Sequence, residues 1–474
     1  MALNEVLAVN SNSELLSFII NTTPELASVI DLPTQGQDIK PIGQIIMSNE
    51  RYKNAFLNAL NLIGLTVIDR NYWENPWEGF TNRGTLNFGQ SVREMIVDIA
   101  DVFDYNEFAN NPTHFLSNVV PQVYNYVHEV NYQKFYKTTT SDEQLAMAFN
   151  TEGGLLDLIE KITGSLYEGY KYDKYIVDKY MLCKRIIDGT ITSVEIDGYD
   201  NMTARDRVAF IKNVSSLMTF RSPKYNPAGL RLATAFGDQI MILNTDFQAD
   251  LETNVLATSF FRNDAEFKSN LALVDGFGNQ DTERLIELLG SAYVPFTNDE
   301  LTALAGVPCV LIDREFFQDY NYSLDNAAEP TDATRSGNFY NPETMKNNHW
   351  LHTWKVISTS PFKQAVVFTK DVTPAVSSVT VSPSAATVNV GQSIKLSATV
   401  ATTGFANKAV QWSVSADPTS GTAKVTVNPL TGEVTIPANY QIALGSVKIK
   451  ATSIFDPTKS AEATLTIAGQ SQES

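Results

Sequence analysis

The sequence predicts two parts of different fold class: an α+β domain over residues 1–371 and an all-β sandwich over residues 373–469, with a short tail at 470–474. Helical and strand-like patterns alternate in the first part without the regular rhythm of a doubly wound sheet, whereas short strands with period-two alternation recur in the second. The charge divides in the same way. Of the net charge of −18, residues 372–474 carry +1, from six Lys and five Asp or Glu, which leaves −19 for the first part.

Residues 1–40 are predicted to form an extended arm. They contain no Lys or Arg before Lys40, and polar clusters such as NSNS and PTQGQD leave room for only a short helix around Leu15–Ile20. The arm lacks a basic stretch ahead of an apolar run, so it does not have the pattern of a secretory signal. Nowhere does the sequence contain the run of about 18 apolar residues that is typical of a membrane-spanning helix.

Residues 66–94 are predicted to form an extended loop or β-ribbon that holds several large aromatic side chains. Trp73, Trp77, Phe80 and Phe88 stand among prolines and glycines, and a ribbon is too thin to bury them within itself. Large aromatic side chains are typical anchors of protein interfaces. Two interpretations are open at this point: another subunit covers these side chains, or they fold back onto their own domain.

A long amphipathic helix is predicted to follow a capping box at Ser141 and Gln144. Apolar residues keep the 3.6-residue period through 155–181, and an unbroken helix from 154 to 182 would be about 40 Å long, the span of a whole domain. We therefore expect this segment to act as a spine. Further helical and strand patterns alternate up to the second part, and the last of them predict returning strands at 345–370.

The second part is predicted to be an antiparallel sandwich, because seven or eight short strands with alternating apolar residues fit into about 100 residues. It contains no cysteine, so packing alone must stabilise it, and Trp412 is its predicted core aromatic. It resembles the bacterial immunoglobulin-like (Ig-like) group 2 family, and the resemblance implies a binding or stiffening module without chemistry of its own. The matching stretches are Val379–Pro383, Val388–Gly391, Trp412–Ser413 and Thr431–Thr435.

The sequence contains no motif that predicts an enzyme: GxxxxGK[ST], HExxH and GxSxG are all absent. His349 and His352 lie three apart in a strand-like segment, which places them on opposite faces and makes a shared metal ion improbable. Asp246, Asp250 and Glu252 form an acidic cluster without the glycine and the spacing of a calcium loop. We therefore predict no catalytic residue, no cofactor and no metal ion.

Charge and cysteine content argue against two further classes of function. A protein that binds nucleic acid as its main task needs clustered Lys and Arg to neutralise phosphate, and the acidic first part has no such cluster. Cys183 and Cys309 are far apart and have no paired cysteines or histidines nearby. They are predicted to be inert, buried thiols that form neither a zinc site nor a disulfide framework.

The first part resembles the major capsid proteins of small podoviruses of the phi-29 type. The order of its segments and four strings carry the resemblance: IGLTVIDRNYWENPWEGF (63–80), LNTDFQADLETNVLATSF (243–260), LVDGFG (273–278) and WKVISTSPFKQAVVF (354–368). It extends over roughly residues 60–457, and the Ig-like module joins at the place where it does in the family. The stretch 279–345 matches poorly.

The resemblance implies a capsid fold of the Hong Kong 97 type. In that fold the N-terminal arm (1–40) and the extended loop (66–94) reach onto neighbouring subunits, the spine helix (141–182) and the returning strands (345–370) form a peripheral domain, and residues 190–340 form an axial domain around local symmetry axes. The function implied is structural: a shell protein of a tailed bacteriophage that assembles in the host cytoplasm into an icosahedral or elongated capsid around double-stranded DNA.

The same resemblance implies the partners and the contact residues. The partners are further copies of the chain in hexamers and pentamers, a scaffolding protein and the portal during assembly, packaged DNA without specific binding, and head fibres or the host surface through the Ig-like module. No membrane partner is expected. The predicted subunit-interface residues are Trp73, Trp77, Phe80, Arg83, Phe88 and Arg93.

Two alternatives stay open at the level of sequence. In the first, the Ig-like module is the stalk of a phage-tail or cell-surface adhesin. In the second, paired carboxylates such as Asp246 and Asp250 hydrolyse a polysaccharide.

Overall fold

The computed structural model describes residues 12–34, 37–56, 73–87, 90–100, 102, 123–150, 154–226, 228–254, 270–323, 336–341, 346–370, 372–419, 421, 423–441 and 445–468. The helices are α1 (Asn12–Thr22), α2 (Pro24–Ala27), α3 (Lys40–Ser48), α4 (Glu78–Thr81), α5 (Asp142–Asn150), α6 (Gly154–Ile187), α7 (Ala204–Met218), α8 (Thr245–Asn254), α9 (Thr282–Leu289) and α10 (Asn298–Ala305). Residues 50–56 are also helical, and short 3₁₀ turns lie at Tyr199–Asn201, Phe236–Asp238 and Gly290–Ala292.

The strands of the first part are β1 (Asn82–Asn87), β2 (Val92–Val97), β3 (Val123–His128), β4 (Tyr132–Ser141), β5 (Thr192–Ile196), β6 (Gln239–Asn244), β7 (Leu271–Val274), β8 (Cys309–Asp313), β9 (Asp319–Ser323), β10 (Ser336–Asn341), β11 (Lys346–Val356) and β12 (Ala365–Lys370). Those of the second part are β13 (Ala375–Ser382), β14 (Ala385–Asn389), β15 (Ser393–Lys395), β16 (Ser397–Thr403), β17 (Val410–Ala416), β18 (Thr426–Val427), β19 (Glu433–Thr435), β20 (Val447–Ser453) and β21 (Ser460–Ala468).

The centre of the first part is a five-stranded sheet in the order β5-β12-β8-β6-β7. Its inner strands are nearly continuous apolar runs, and almost all of their residues are buried, because helices cover both faces. On one face, α6 shares a core with the sheet through Leu182 and Ile186. On the other face, α7 does so through Val208 and Ile211. The sheet and its helices therefore form one three-layered body.

The predicted spine is α6, a helix of 34 residues and about 51 Å. It begins at Gly154 and ends at Ile187, five residues beyond the predicted end, while α5 is a separate helix ahead of it. The capping box that was predicted to begin this region is present: the backbone N–H of Gln144 donates to Ser141 Oγ, and that of Ser141 donates to Gln144 Oε1.

A second sheet lies against α6 and has the order β1-β9-β11-β10, with β4 paired to β11. Tyr136 of β4 and Leu351 of β11 pack on Leu166 and Tyr170 of the spine. The predicted returning strands, 345–370, are β11 and β12. They do not pair with each other, since β11 belongs to this sheet and β12 to the central one.

The N-terminal segment differs from the predicted extended arm over its described residues. The helix α1 covers Asn12–Thr22 and is longer than the short helix predicted around Leu15–Ile20. Its apolar face is fully buried in a cluster with α3, residues 50–56 and α5. Leu15, Leu16, Ile19 and Ile20 repeat at helical spacing, so one face of the segment is continuously apolar and forms a small helical core. Residues 1–11 lie outside the described part of the chain.

The ribbon of the structure lies later in the chain than predicted. β2 and β3 pair antiparallel, from Val92 with His128 to Val97 with Val123, and within the described residues they form a sheet of their own. β1, in contrast, belongs to the second sheet, where it pairs in parallel with β9. The predicted range 66–94 thus covers only the first three residues of the ribbon.

The second part is a β-sandwich, as the alternation predicts. A four-stranded sheet, β14-β21-β20-β17, and the smaller groups β15-β19-β18 and β13-β16 enclose one hydrophobic core. Trp412 lies buried in that core, where the sequence predicts it. Its indole packs against Gly432, whose φ of +70° and missing Cβ let the turn pass within van der Waals distance of the ring.

Candidate assembly surface

The β2–β3 ribbon has an outer face that is apolar and exposed. We define the outer face as Arg93, Met95, Val97, Val123, Asn125 and Val127, which are paired across the two strands. Met95 is 67% exposed, Val123 54% and Val97 49%. Exposed apolar side chains that cluster on one face of a regular element are typical of a surface that another molecule covers.

The opposite, inner face of the ribbon is fixed to the first part of the chain. Tyr124 and Ile96 pack with Leu230 and Phe362 in one hydrophobic cluster. The ribbon therefore presents its outer face from a rigid base.

Polar contacts hold the same base. Ser360 Oγ donates to Glu94 Oε1 at 2.8 Å, and His128 Nδ1 lies 2.6 Å from Ser358 Oγ. His128 Nε2 also lies 3.5 Å from Glu94 Oε2, so both strands of the ribbon are tied to the segment 358–360 and to each other.

The structure places Trp77 and Phe80, which are predicted at a subunit interface, in the core of their own chain. Trp77 is fully buried in its own chain, and its Nε1 donates to the carbonyl of Leu273 at 2.9 Å. Its ring lies 5.4 Å from that of Tyr175 and 5.9 Å from that of Phe317. Phe80 joins the same core and is 7% exposed, so the two side chains leave almost no surface for a neighbour.

Trp73 lies at the edge of a cleft of about 610 Å³ and is 43% exposed. Its indole makes edge contacts with Tyr172 and Tyr175 of the spine, and Leu273 and Asp275 also line the cleft. Part of the indole is thus covered by its own chain and part is open. Its role at an interface stays a prediction.

Three further residues of the predicted interface have different outcomes. Arg93 is exposed on the outer face, opposite Val127, and its interface role stays a prediction. Arg83 is half-buried, its Nε donates to the carbonyl of Phe317 at 3.0 Å, and burial lowers the pKa of its guanidinium. Arg83 therefore contacts its own chain, and its role between subunits stays a prediction. Phe88 lies outside the described residues.

A buried charged cluster, not predicted from the sequence, joins the spine to β9. Lys174 Nζ lies 3.2 Å from Asp178 Oδ2 and 3.3 Å from Asp319 Oδ2, and all three side chains are buried. Burial would lower the pKa of Lys174, but the two carboxylates raise it above its usual value. Burial and the neighbouring Asp178 raise the pKa of Asp319. The cluster lies within one subunit and connects the spine helix to β9.

Two further ion pairs within the chain involve residues of the spine helix. Arg284 makes a bidentate pair with the buried Asp173, with both distances at 2.8 Å. Lys179 Nζ lies 2.8 Å from Asp275 Oδ1. These pairs connect α6 to α9 and to the loop that follows β7.

His349 and His352 do not form a shared site. His349 is buried against Thr140 Oγ1, and burial lowers its pKa to about 4, whereas the ring of His352 lies 5.7 Å from that of Phe135 on the opposite face. Among the described residues, no three His, Cys, Asp or Glu side chains lie close enough to hold a metal ion. The side chains of Asp250 and Glu252 are outside the described part.

Both cysteines are buried free thiols, as predicted. Burial raises the pKa of Cys183 to about 12 and that of Cys309 above its usual value, so neither is an activated nucleophile. Within the described residues, no helix combines the length and apolar character needed to cross a membrane.

The model of the Phi29-like phage major capsid protein family matches residues 20–369. The chain belongs to this family. The model of the bacterial Ig-like domain, group 2, matches residues 375–464. The two matches confirm the predicted fold class, a capsid domain of the Hong Kong 97 type followed by an Ig-like sandwich.

The capsid protein is similar to curated relatives over nearly its whole length. It is 25% identical to the major capsid protein of Bacillus phage GA-1, over 96% of this chain and 91% of that protein. It is 26% identical to the major capsid protein of Bacillus phage B103, over 92% of this chain and 91% of that protein. Among solved structures, the capsid structure of Staphylococcus phage Andhra aligns at 15% identity with a TM-score of 0.45, over 64% of this chain and 86% of that one.

The predicted function is thereby confirmed. The chain is a structural shell protein of a tailed phage, it assembles with copies of itself, and its place is the virion capsid. The adhesin alternative is not favoured, because the family match covers the α+β part that an adhesin would need for its ligand.

Proposed function

We propose that the outer face of the β2–β3 ribbon is a principal contact between neighbouring subunits of the shell. The observation that supports it is the exposure of Met95, Val97 and Val123 on a ribbon whose other face is anchored. A monomer gains nothing from this arrangement, whereas a neighbouring copy that covers the face removes the apolar area from water.

The free energy expected from covering one apolar side chain is modest, but the same contact recurs at every subunit of the shell. Covering side chains that are half exposed contributes about 1 kcal/mol each at ~25 cal/mol per Å² of apolar area. The outer face has four apolar side chains, Met95, Val97, Val123 and the less exposed Val127, and these contacts, repeated through hexamers and pentamers, cooperate in a closed assembly. Arg93 lies on the same face and has acidic surface available on any neighbour, since the first part of each chain carries −19.

We assign the remaining partners on charge and on architecture. A lumen built from acidic domains repels packaged DNA, so the DNA is enclosed without specific binding. A scaffolding protein and the portal are the expected assembly partners in the host cytoplasm. The Ig-like sandwich, nearly neutral in charge, reinforces the contacts between capsomers or is displayed to head fibres or the host. The chain performs this work without a catalytic step or a cofactor.

The test is Val97→Asp, with Val294→Asp as its matched control. Both valines are half exposed, at 49% and 51%, and both substitutions introduce the same charge. With a scaffolding protein co-expressed, V97D is expected to give at least tenfold fewer closed shells by electron microscopy while the subunit keeps the thermal stability of the wild type. V294D is expected to assemble normally. Equal shell yields for the two variants would reject the ribbon as a subunit contact.

A further inference from the structure

The Ig-like sandwich makes direct hydrogen bonds to the end of the spine helix. The backbone N–H of Lys408 donates to the carbonyl of Gly189 at 2.8 Å, and Lys408 Nζ donates to the carbonyl of Ile187 at 3.0 Å. The last carbonyls of a helix have no partner within it, and a positive charge is favourable there. The sandwich thus supplies a cap for α6 from outside the helix.

Gly189 allows the backbone at the end of the helix to approach the sandwich closely. It has a φ of +65°, as a residue that ends a helix in the left-handed conformation often does. A Cβ at this position would lie 2.3 Å from the carbonyl oxygen of Ala406 in the sandwich. A side chain is therefore excluded both by the backbone conformation and by the neighbouring module.

A second contact joins the sandwich to the base of the ribbon. Leu430, in the turn between β18 and β19, packs on the cluster of Tyr124, Leu230 and Phe362 that anchors β3. Ile454 covers the neighbouring loop so closely that a Cβ on Gly229 would lie 3.2 Å from its Cγ2.

The loop between these contacts is itself well fixed. Asn226 is fully buried, its Oδ1 accepts from the backbone N–H groups of Ala228 and Leu230, and its Nδ2 donates to the carbonyl of Phe362. These hydrogen bonds connect the loop to Phe362, which packs beneath the ribbon.

The connection between the two parts favours docking within one chain. β12 ends at Lys370 and β13 begins at Ala375, so the linker has four residues and spans at most about 18 Å. Such a tether holds the sandwich at an effective concentration on the order of millimolar or above. A contact of small area is then sufficient to keep it docked.

We infer that the sandwich acts as a clamp on its own subunit, which caps the spine helix and fixes the base of the ribbon. The clamp sets the direction from which the outer face meets the next subunit. Its consequence for assembly rests on the proposed function of the ribbon, but the clamp itself is a property of the single unassembled chain.

The experiment is hydrogen exchange on the unassembled subunit carrying Leu430→Asp or Lys408→Ala, with Lys395→Ala as the control. Lys395 is exposed on the edge strand β15 and is not among the residues that form either contact. We expect L430D to speed amide exchange in 92–97 and 123–128 at least tenfold, K408A to do so in the last turn of α6, and K395A to change neither. Exchange in 447–453 reports whether the sandwich itself stays folded.

The outcomes separate the clamp from the ribbon contact. Unchanged exchange in the ribbon and in the helix end, with the sandwich folded, would overturn the clamp even if V97D abolishes shells. Faster exchange in the clamp variants together with normal shells from V97D would uphold the clamp and reject the ribbon contact. If L430D unfolds the sandwich, K408A decides, because the exposed side chain of Lys408 can be removed without disturbing the sandwich core.

Discussion

At the scale of single residues, the two tryptophans of the aromatic segment show that local sequence does not predict which of them is buried. Trp73 and Trp77 stand in the same Pro- and Gly-rich stretch, yet Trp77 is fully buried and Trp73 is partly open. The partners of Trp77, namely Tyr175, Leu273 and Phe317, lie about 100 to 240 residues further along the chain. No local pattern contains that information, because burial here is decided by long-range packing.

The difference predicts a difference in stability. Trp77→Ala is expected to lower the free energy of unfolding of the first part by about 3–5 kcal/mol, since it removes a fully buried indole and leaves a cavity. Trp73→Ala, the matched control, is expected to cost about 1 kcal/mol, because its ring is partly solvated. Calorimetry of the unassembled subunits measures both. Equal losses would show that the aromatic segment does not pack as described.

At the scale of elements, the sequence was informative wherever a periodic pattern coincided with one element. The 3.6-residue period predicted α6, and alternation predicted the strands of the sandwich. The helix at Asn12–Thr22 carried the same signal in Leu15, Leu16, Ile19 and Ile20, but the polar clusters around it favoured an arm.

The ribbon is the element that the sequence did not locate. β2 carries apolar residues on both faces, Ile96 toward the base and Met95 and Val97 toward solvent, so alternation does not mark it as a half-buried strand. Its partner β3 begins 26 residues after β2 ends. Arg93 is among the predicted interface residues, but its place on the outer face follows from strand pairing that only the structure gives.

The contact between β11 and α6 predicts a pH dependence of stability. Lys355 is fully buried beside Tyr170, and burial lowers its pKa to about 7. Between pH 7 and the usual lysine pKa of about 10.4, the unfolded chain binds this proton and the folded chain does not. The free energy of unfolding therefore rises with pH in that window, by up to about 1.4 kcal/mol per pH unit from this group.

Lys355→Met isolates that contribution, because every other titrating group is common to both proteins. Denaturant unfolding between pH 7.5 and 9.5 is expected to give the wild type the steeper rise with pH. Below pH 7 the two slopes should converge, since Lys355 is then protonated in both states. Parallel lines through the whole range would mean that Lys355 keeps its proton in the folded subunit.

At the scale of the whole molecule, the capsid protein combines two terms of opposite sign. Each first part carries −19, so subunits that approach one another repel, while the outer face of the ribbon offers apolar area that only a neighbour covers. Repulsion restrains association of the free chain, and the proposed ribbon contact, repeated around a closed shell, offsets it. The sandwich adds almost no charge and therefore reinforces the subunit without raising the repulsion.

This balance predicts that salt promotes assembly. Raising the ionic strength from 0.01 M to 0.1 M shortens the Debye length from about 30 Å to about 10 Å, which weakens the repulsion between subunits and leaves the apolar contact intact. The critical concentration for shell formation, measured by light scattering, is expected to fall several-fold over this range for the wild type. V97D should not be rescued, because its defect is the loss of the apolar contact. A critical concentration that rises with salt would instead mean that ion pairs such as one from Arg93 hold the subunits together, and that the apolar face is secondary.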